Sequence, residues 1–347
     1  MAEIAEIILP KYQEYRNLLK KWTFFKLYQA LLLGVSYILA RYFKIIKPWG
    51  LPLTLSIEPT TACNLGCPEC PSGLKSFSRP TGNLKKSSYY SWVDSFSKHV
   101  HYINFYFQGE PFIHTELLDF VKYASNKGIY TSTSTNAHFL NQRTAEAVVL
   151  SGLDRIVISI DGTDQATYEQ YRINGNLSKV IDGTQALMDA KKKLNSSSPF
   201  VIFQFLVVKP NEHQIEDVLK LGKSMGVDEV RLKTAQIYNP TDEHHLIPTV
   251  EKYSRYKRDS DGTYRLKNAY RNECLRMWLG AVITWDGKVV PCCFDKDAKH
   301  QMGDLNQATL AAIWKNNDYQ SFRKKVFTQR KQIDICSNCS EGTKVWA

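Results

Sequence analysis

No single segment of this chain is both apolar and long enough to cross a bilayer. The uncharged stretch at residues 27–40 (LYQALLLGVSYILA) has 14 residues. As a helix it extends about 21 Å, against a hydrocarbon core of ~30 Å. Cysteine is too sparse for a small disulfide scaffold. The eight in 347 residues are clustered, which points to metal chemistry in a reducing compartment. The start, MAEIAEIILPKYQEY, lacks the positive stretch of a secretory signal, so a cytoplasmic location is expected. Acidic residues are outnumbered 34 to 45, for a formal net charge of +11. Such an excess favours an acidic partner or an anionic surface. No recognisable RNA-binding module accompanies it, which argues against nucleic acid. A hydrophobic content of 43% excludes global disorder, and the length suits one sizeable core with a smaller appended unit.

What is present centres on Cys63, Cys67 and Cys70 in the run IEPTTACNLGCPECP, directly after the strand-like segment 53–57. A triplet this compact cannot complete a tetrahedral zinc site. It can hold three irons of a [4Fe–4S] cluster and leave the fourth open to a further ligand. Strand-like runs follow at 102–107, 129–134, 155–160, 201–208 and 229–233. Helical patterns lie between them at 111–127, 141–151, 178–194 and 214–225. Six such repeats build a parallel α/β sheet, short of the eight of a closed barrel. The cysteine triplet and this count resemble the radical S-adenosylmethionine (SAM) enzymes and their partial (β/α)6 barrel.

That resemblance extends to residues after successive strands. Gly109-Glu110-Pro111 resembles the family's GGEP turn, with Gln108 in place of its first glycine. The resemblance implies SAM contacts at Gly109, Glu110 and Pro111, and at Asn136 in the polar turn Thr135-Asn136. Ser159-Ile160-Asp161-Gly162 is similar to SxDG, whose serine reaches SAM. Arg172 matches a family arginine that pairs with the SAM carboxylate; an ordinary surface ion pair is the alternative reading. Glu69 stands where the family has an aromatic residue beside the third cysteine, so another side chain must supply that contact. His114 lies near the expected SAM face, Glu58 is either structural or substrate-facing, and His244-His245 read as exposed.

The remaining cysteines lie in the C-terminal quarter. Cys274 precedes the alternating segment 281–291, where Asp286-Gly287 signals a two-residue hairpin turn. Cys292-Cys293 end that hairpin; a helical run at 308–327 and the CxxC of Cys336 and Cys339 follow. Four thiolates ending in CxxC also suit zinc. The pattern resembles Twitch, a shortened SPASM auxiliary-cluster domain. That resemblance implies Cys274, Cys292, Cys336 and Cys339 as ligands of one closed [4Fe–4S] cluster. Alternation sends Cys292 and Cys293 to opposite faces, leaving Cys293 as the spare.

Together these readings divide the chain into a helical N-terminal segment (1–50), a radical SAM core (51–235), a connector (236–272) and an auxiliary unit (273–347). The resemblance implies SAM and two [4Fe–4S] clusters as cofactors and a flavodoxin- or ferredoxin-type reductant. It implies reductive cleavage of SAM to a 5′-deoxyadenosyl radical, hydrogen abstraction, and return of an electron to the closed cluster. The net result is a two-electron substrate oxidation, as in Twitch-containing dehydrogenases. Redox-neutral or bond-forming radical chemistry is the second reading, and a non-enzymatic electron-transfer protein the third. The substrate stays open among small molecules, lipid-linked precursors and peptides. Residues 27–40 keep two readings: a helix packed on the core, or a basic-flanked helix peripheral on the inner face of a membrane.

Overall fold

Strands that feed one another through helices are mostly buried on both faces, which favours short apolar or β-branched runs. β1 (Thr54–Ile57), β2 (Tyr102–Phe105), β3 (Tyr130–Thr135), β4 (Arg155–Ser159), β5 (Phe200–Val207) and β6 (Glu229–Thr234) run parallel, in sequence order. The computed structural model describes residues 2–238, 245–267 and 271–340. Helices α1 (Ala2–Lys20) and α2 (Phe24–Phe43) precede β1. The crossovers carry α3 (Pro71–Leu74), α4 (Lys86–Phe96), α5 (Leu117–Asn126), α6 (Gln142–Leu150), α7 (Gln165–Tyr171), α8 (Leu177–Lys193) and α9 (Ile215–Met225). Asn141, Asp164 and Asn176 each accept a backbone N–H three residues on, starting α6, α7 and α8, as capping requires. The expected helix at 111–127 is a 3-10 turn, Pro111–Ile113, followed by α5.

The connector forms a small antiparallel hairpin, β7 (Tyr256–Arg258) and β8 (Tyr264–Leu266). Beyond it lie α10 (Leu275–Leu279), β9 (Gly280–Ile283), β10 (Lys288–Val290), β11 (Gly303–Asp304), α11 (Leu310–Lys315), α12 (Asn317–Gln329) and α13 (Asp334–Ser337). The helical run expected at 308–327 is therefore two helices. Asn316 divides them, and its Oδ1 accepts from Tyr319 N at 2.9 Å.

β9 pairs parallel with β1, so one sheet runs β11-β10-β9-β1-β2-β3-β4-β5-β6. The pairing sets Gly280 opposite Thr54, where a Cβ would come within 2.1 Å of the Thr54 carbonyl oxygen. The hairpin turn is longer than Asp286-Gly287 suggests. Thr284 N donates to Lys288 O and Gly287 N to Thr284 O, with Gly287 at φ +93°. This is a three-residue loop with its glycine in the left-handed region. One apolar core joins Leu55, Ile103 and Phe203 of the sheet to Trp278, Trp314 and Phe322 of the C-terminal unit.

α1 and α2 lie across the amino ends of the strands. Arg155, opening β4, pairs with Glu14, to which Tyr130 of β3 also donates. Lys21 Nζ binds Asp154 and the Ile129 carbonyl, and Lys26 Nζ binds the Gly128 carbonyl at 2.7 Å. Gln29 accepts from Leu51 N, and Trp278 Nε1 donates to Leu33 O at 3.1 Å. Every one of these partners enters or precedes a strand, which leaves the carboxyl ends to the chemistry.

Candidate active site

Cys63, Cys67 and Cys70 occupy the loop that leaves β1, and α3 starts on Cys70. Gly73 lets α3 lie close: a Cβ there would sit 2.6 Å from Cys67 N. The three thiols are near enough for their charges to interact, and Glu110 faces them. Burial pushes the Cys63 thiol up to about 12 and also raises Cys67. Thiolates form at such positions only against a positive centre. Among the described residues, no three His, Cys, Asp or Glu side chains converge tightly enough for a single metal ion. A cubane spreads its thiolates over separate irons, whereas one zinc gathers four donors at about 2.3 Å.

The turn after β2 wraps onto this loop. Gly109 has φ +75° and donates its N–H to Ser72 Oγ at 2.8 Å; a Cβ there would lie 2.3 Å from the Thr60 carbonyl oxygen. Glu110 N donates to Ala62 O at 2.7 Å. The buried Glu110 carboxylate accepts from Phe112 N, Thr135 Oγ1 and Asn136 N. Burial outweighs these bonds and raises the group to about 7. Pro111 is buried at the first position of the following turn. Asn136 Nδ2 reaches Asn64 Oδ1 in the cysteine loop at 2.8 Å. Gln108, in the place of the expected glycine, is buried, and its Oε1 has no partner among the described residues.

Ser159 closes β4 and is buried. Arg172 is not a surface ion pair. Its Nε donates to the fully buried Asp161 at 2.5 Å, and its Nη1 lies 3.7 Å from Cys67 Sγ. Asp161 also accepts from Leu206 N at 2.7 Å, which ties β4 to β5. Tyr106, just beyond β2, stands among Cys70, Cys63, Glu110 and Arg172. Glu69 accepts from Tyr238 N at 2.9 Å, and the Tyr238 phenol lies within electrostatic reach of Cys70. An aromatic from the connector thus stands near the third cysteine. Tyr106 and Tyr238 escape sequence reasoning because neither belongs to a motif; only the position of Tyr106 at a strand's carboxyl end hints at its place.

Three further expectations resolve away from the chemistry. Glu58 is fully buried in a two-pronged pair with Arg79, at 2.6 and 2.8 Å, and accepts from Trp285 N. It is structural. His114 is fixed by Leu84 O at 2.9 Å and by Glu116 N, so it serves the turn rather than the cavity. His245 is exposed, and His244 lies outside the described residues.

The second cysteine group forms behind β10. Cys292 lies within electrostatic reach of Cys293, Cys274 and Cys339, and burial raises it well above the usual thiol range. Arg330 faces Cys339, Cys274 and Cys336, with its Nη2 3.4 Å from Cys339 Sγ. Cys339 N donates to Cys336 O, closing the CxxC turn. Cys293 has different surroundings: Arg276 Nη1 lies 3.1 Å from its Sγ, and Lys296 and Lys233 face it. Arg255 neighbours Lys233, Lys296, Arg276 and Cys339. Lys233 reaches Asp161 and Lys296 reaches Cys70, so these cations stand between the two cysteine groups.

Two family models match this chain. The radical SAM superfamily model covers residues 57–222, and the SPASM iron-sulfur cluster-binding domain model covers residues 274–340. A tungsten-containing aldehyde ferredoxin oxidoreductase cofactor-modifying protein of Pyrococcus furiosus is 23% identical over 319 residues, 82% of this chain and 86% of that protein. Among solved structures, SuiB of Streptococcus suis bound to S-adenosylmethionine superposes with TM-score 0.60 at 15% identity, covering 85% of this chain and 73% of that one. The protein anSMEcpe with bound AdoMet gives 0.59 at 19%, covering 84% and 86%. BtrN with AdoMet and 2-DOIA gives 0.51 at 18%, covering 84% and 94%. The matched domains imply SAM, a SAM-binding [4Fe–4S] cluster and an auxiliary [4Fe–4S] cluster. The donor chemistry fits: thiols that ionise only against positive charge, a glycine cradle no side chain can enter, and an orphaned acceptor at Gln108. The chain belongs to the radical SAM superfamily, as an enzyme with a C-terminal SPASM-type iron–sulfur domain.

Proposed function

We propose that this enzyme is a radical SAM oxidoreductase that removes two electrons from its substrate. Cys63, Cys67 and Cys70 would hold the SAM-binding cluster, and Cys274, Cys292, Cys336 and Cys339 the auxiliary one. Bound there, these groups supply a 5′-deoxyadenosyl radical by one-electron cleavage of SAM and an electron acceptor, so that a substrate losing a hydrogen atom, then a proton and an electron, is oxidised. One observation carries the reading: Cys292 sits with Cys274 and Cys339, while its neighbour Cys293 faces Arg276. Four thiols then close the auxiliary cluster against substrate and leave it electron transfer.

The chain's own residues do the holding. Gly109, Glu110 and Pro111 shape a cradle against the cysteine loop, and Asn136 ties it to Asn64. Asp161 orients Arg172 toward the same space, where it would meet the SAM carboxylate, and Ser159 would face SAM from β4. Tyr238 stands ready as the adenine-side aromatic. Lys233, Arg255, Arg276 and Lys296 line the interior between the cysteine groups, which suits a substrate carrying a carboxylate or phosphate. A flavodoxin- or ferredoxin-type protein supplies the electron, and the chain's +11 charge suits an acidic donor.

The test offers acidic and neutral small molecules to reconstituted enzyme under dithionite and follows 5′-deoxyadenosine. Acidic compounds are expected to stimulate its release, giving one product per SAM that is lighter by a pair of hydrogens. A product isomeric with its substrate would overturn the oxidation.

A further inference from the structure

We propose that the α1–α2 hairpin seats the enzyme on an anionic membrane surface, with the radical site at the opposite end of the strands. A helix that caps a globular core normally buries its large apolar side chains and exposes its polar ones. α2 does the reverse. Its inner face, Lys26, Gln29, Leu33, Ser36 and Ala40, is buried against the strand-entry loops and α10. Its outer face carries Phe24, Leu27, Leu31, Val35, Ile38 and Tyr42, between 38% and 94% exposed. These six recur at spacings of three and four, so they form one stripe directly opposite the buried one. Tyr12, Tyr15 and Leu19 extend it onto α1 at the same spacing, each more than 60% exposed. Isolated surface apolar residues need no explanation; a continuous ridge does.

The charge around the ridge selects its occupant. Residues 11–50 hold eight lysines and arginines and a single acid, Glu14. Glu14 is buried in its pair with Arg155, so it does not face the surface. Arg16, Lys20, Lys44 and Lys47 are exposed at the ends of the two helices. Apolar and aromatic residues flanked by cations are the composition of an interfacial helix on anionic lipid. Among the described residues no single helix is long and apolar enough to cross a membrane, and the α1–α2 pair, long enough only together, is bent by 99°. α2 is also bonded to the protein along its inner face, so it lies along the surface. The hairpin covers the amino ends of the strands while the cysteine triplet sits beyond their carboxyl ends. Docking therefore anchors the enzyme without closing its active site.

The test sediments full-length, cluster-loaded protein with phosphatidylcholine vesicles, with and without about one-third phosphatidylglycerol. At least tenfold more protein is expected on the anionic vesicles, with a loss of binding at high salt and unchanged SAM cleavage in the bound state. Leu31→Glu with Ile38→Glu should abolish sedimentation while keeping iron content and SAM cleavage; Lys44→Glu with Lys47→Glu should weaken it and remove its preference for anionic lipid. Equal sedimentation of wild type and the Leu31/Ile38 variant would overturn the proposal. So would a wild-type dimer that ignores vesicles and becomes monomeric in that variant, since the ridge would then belong to a second copy. Vesicles that block SAM cleavage would contradict the orientation.

Discussion

Cys292 and Cys293 are adjacent in the chain and have opposite surroundings. Cys292 lies within electrostatic reach of Cys274 and Cys339, whereas Cys293 meets the exposed Arg276 guanidinium. Both lie past the end of β10, Cys292 in a bend and Cys293 in a turn, so it is the turn, and not the strand alternation expected from the sequence, that divides them. Cys292→Ser is therefore expected to take the iron content from about eight per chain to about four, whereas Cys293→Ser should leave it near eight. Anaerobic iron and sulfide analysis of the two variants decides it, and the reverse pattern would reassign the spare. At this scale the sequence is informative where chemistry demands a residue type at a fixed spacing, as in the two cysteine groups and the Gly109 turn. It is silent where a partner arrives from elsewhere in the fold. Nothing near Glu58 announces Arg79, which lies in the loop beyond α3, and nothing near Cys70 announces Tyr238.

The sequence places elements more readily than it bounds them, because caps and turns decide where they end. Asn316 splits one expected helix into two by capping the second. The Asp286-Gly287 hairpin gains a residue because Thr284 and Lys288 close the loop. The N-terminal helices show the limit most clearly. Hydropathy alone cannot say which face of α2 is buried; the bonds of Lys26 and Gln29 to the strand-entry loops say it. The same packing buries His101 at the foot of β2, where its ring stacks on Trp22 at 4.0 Å. Burial, then the nearby Lys26, holds His101 down to about 4 from its ordinary 6.5. The unfolded chain therefore binds the proton first. The stability that neutral His101 allows is complete above its unfolded value and is lost as pH falls toward 4. Between about pH 7.5 and 5.5 this amounts to about 1.4 kcal/mol. Urea midpoints of wild type and His101→Phe across that window should show the variant losing most of this dependence. Equal slopes would remove His101 as the cause.

At the scale of the whole molecule, the C-terminal unit continues the barrel's sheet. Pairing of β9 with β1 places the second cysteine group on the same continuous framework that carries the first. The six-strand repeat is legible from apolar or β-branched runs alternating with helical patterns, although β3 (YTSTST) and β6 (EVRLKT) are not apolar. The β1–β9 contact is not legible, since strands more than 200 residues apart in sequence carry no local signal of pairing. This shared framework fixes the spacing of the two cysteine groups, and the central claim is that the clusters they would hold differ in kind. Low-temperature EPR of the dithionite-reduced C63A/C67A/C70A variant, titrated with SAM beside wild type, tests it most directly. In wild type, SAM should perturb one of two cluster signals. The variant should keep a reduced [4Fe–4S] signal that SAM leaves unmoved. A variant with no cluster, or one whose remaining signal shifts with SAM, would contradict the account.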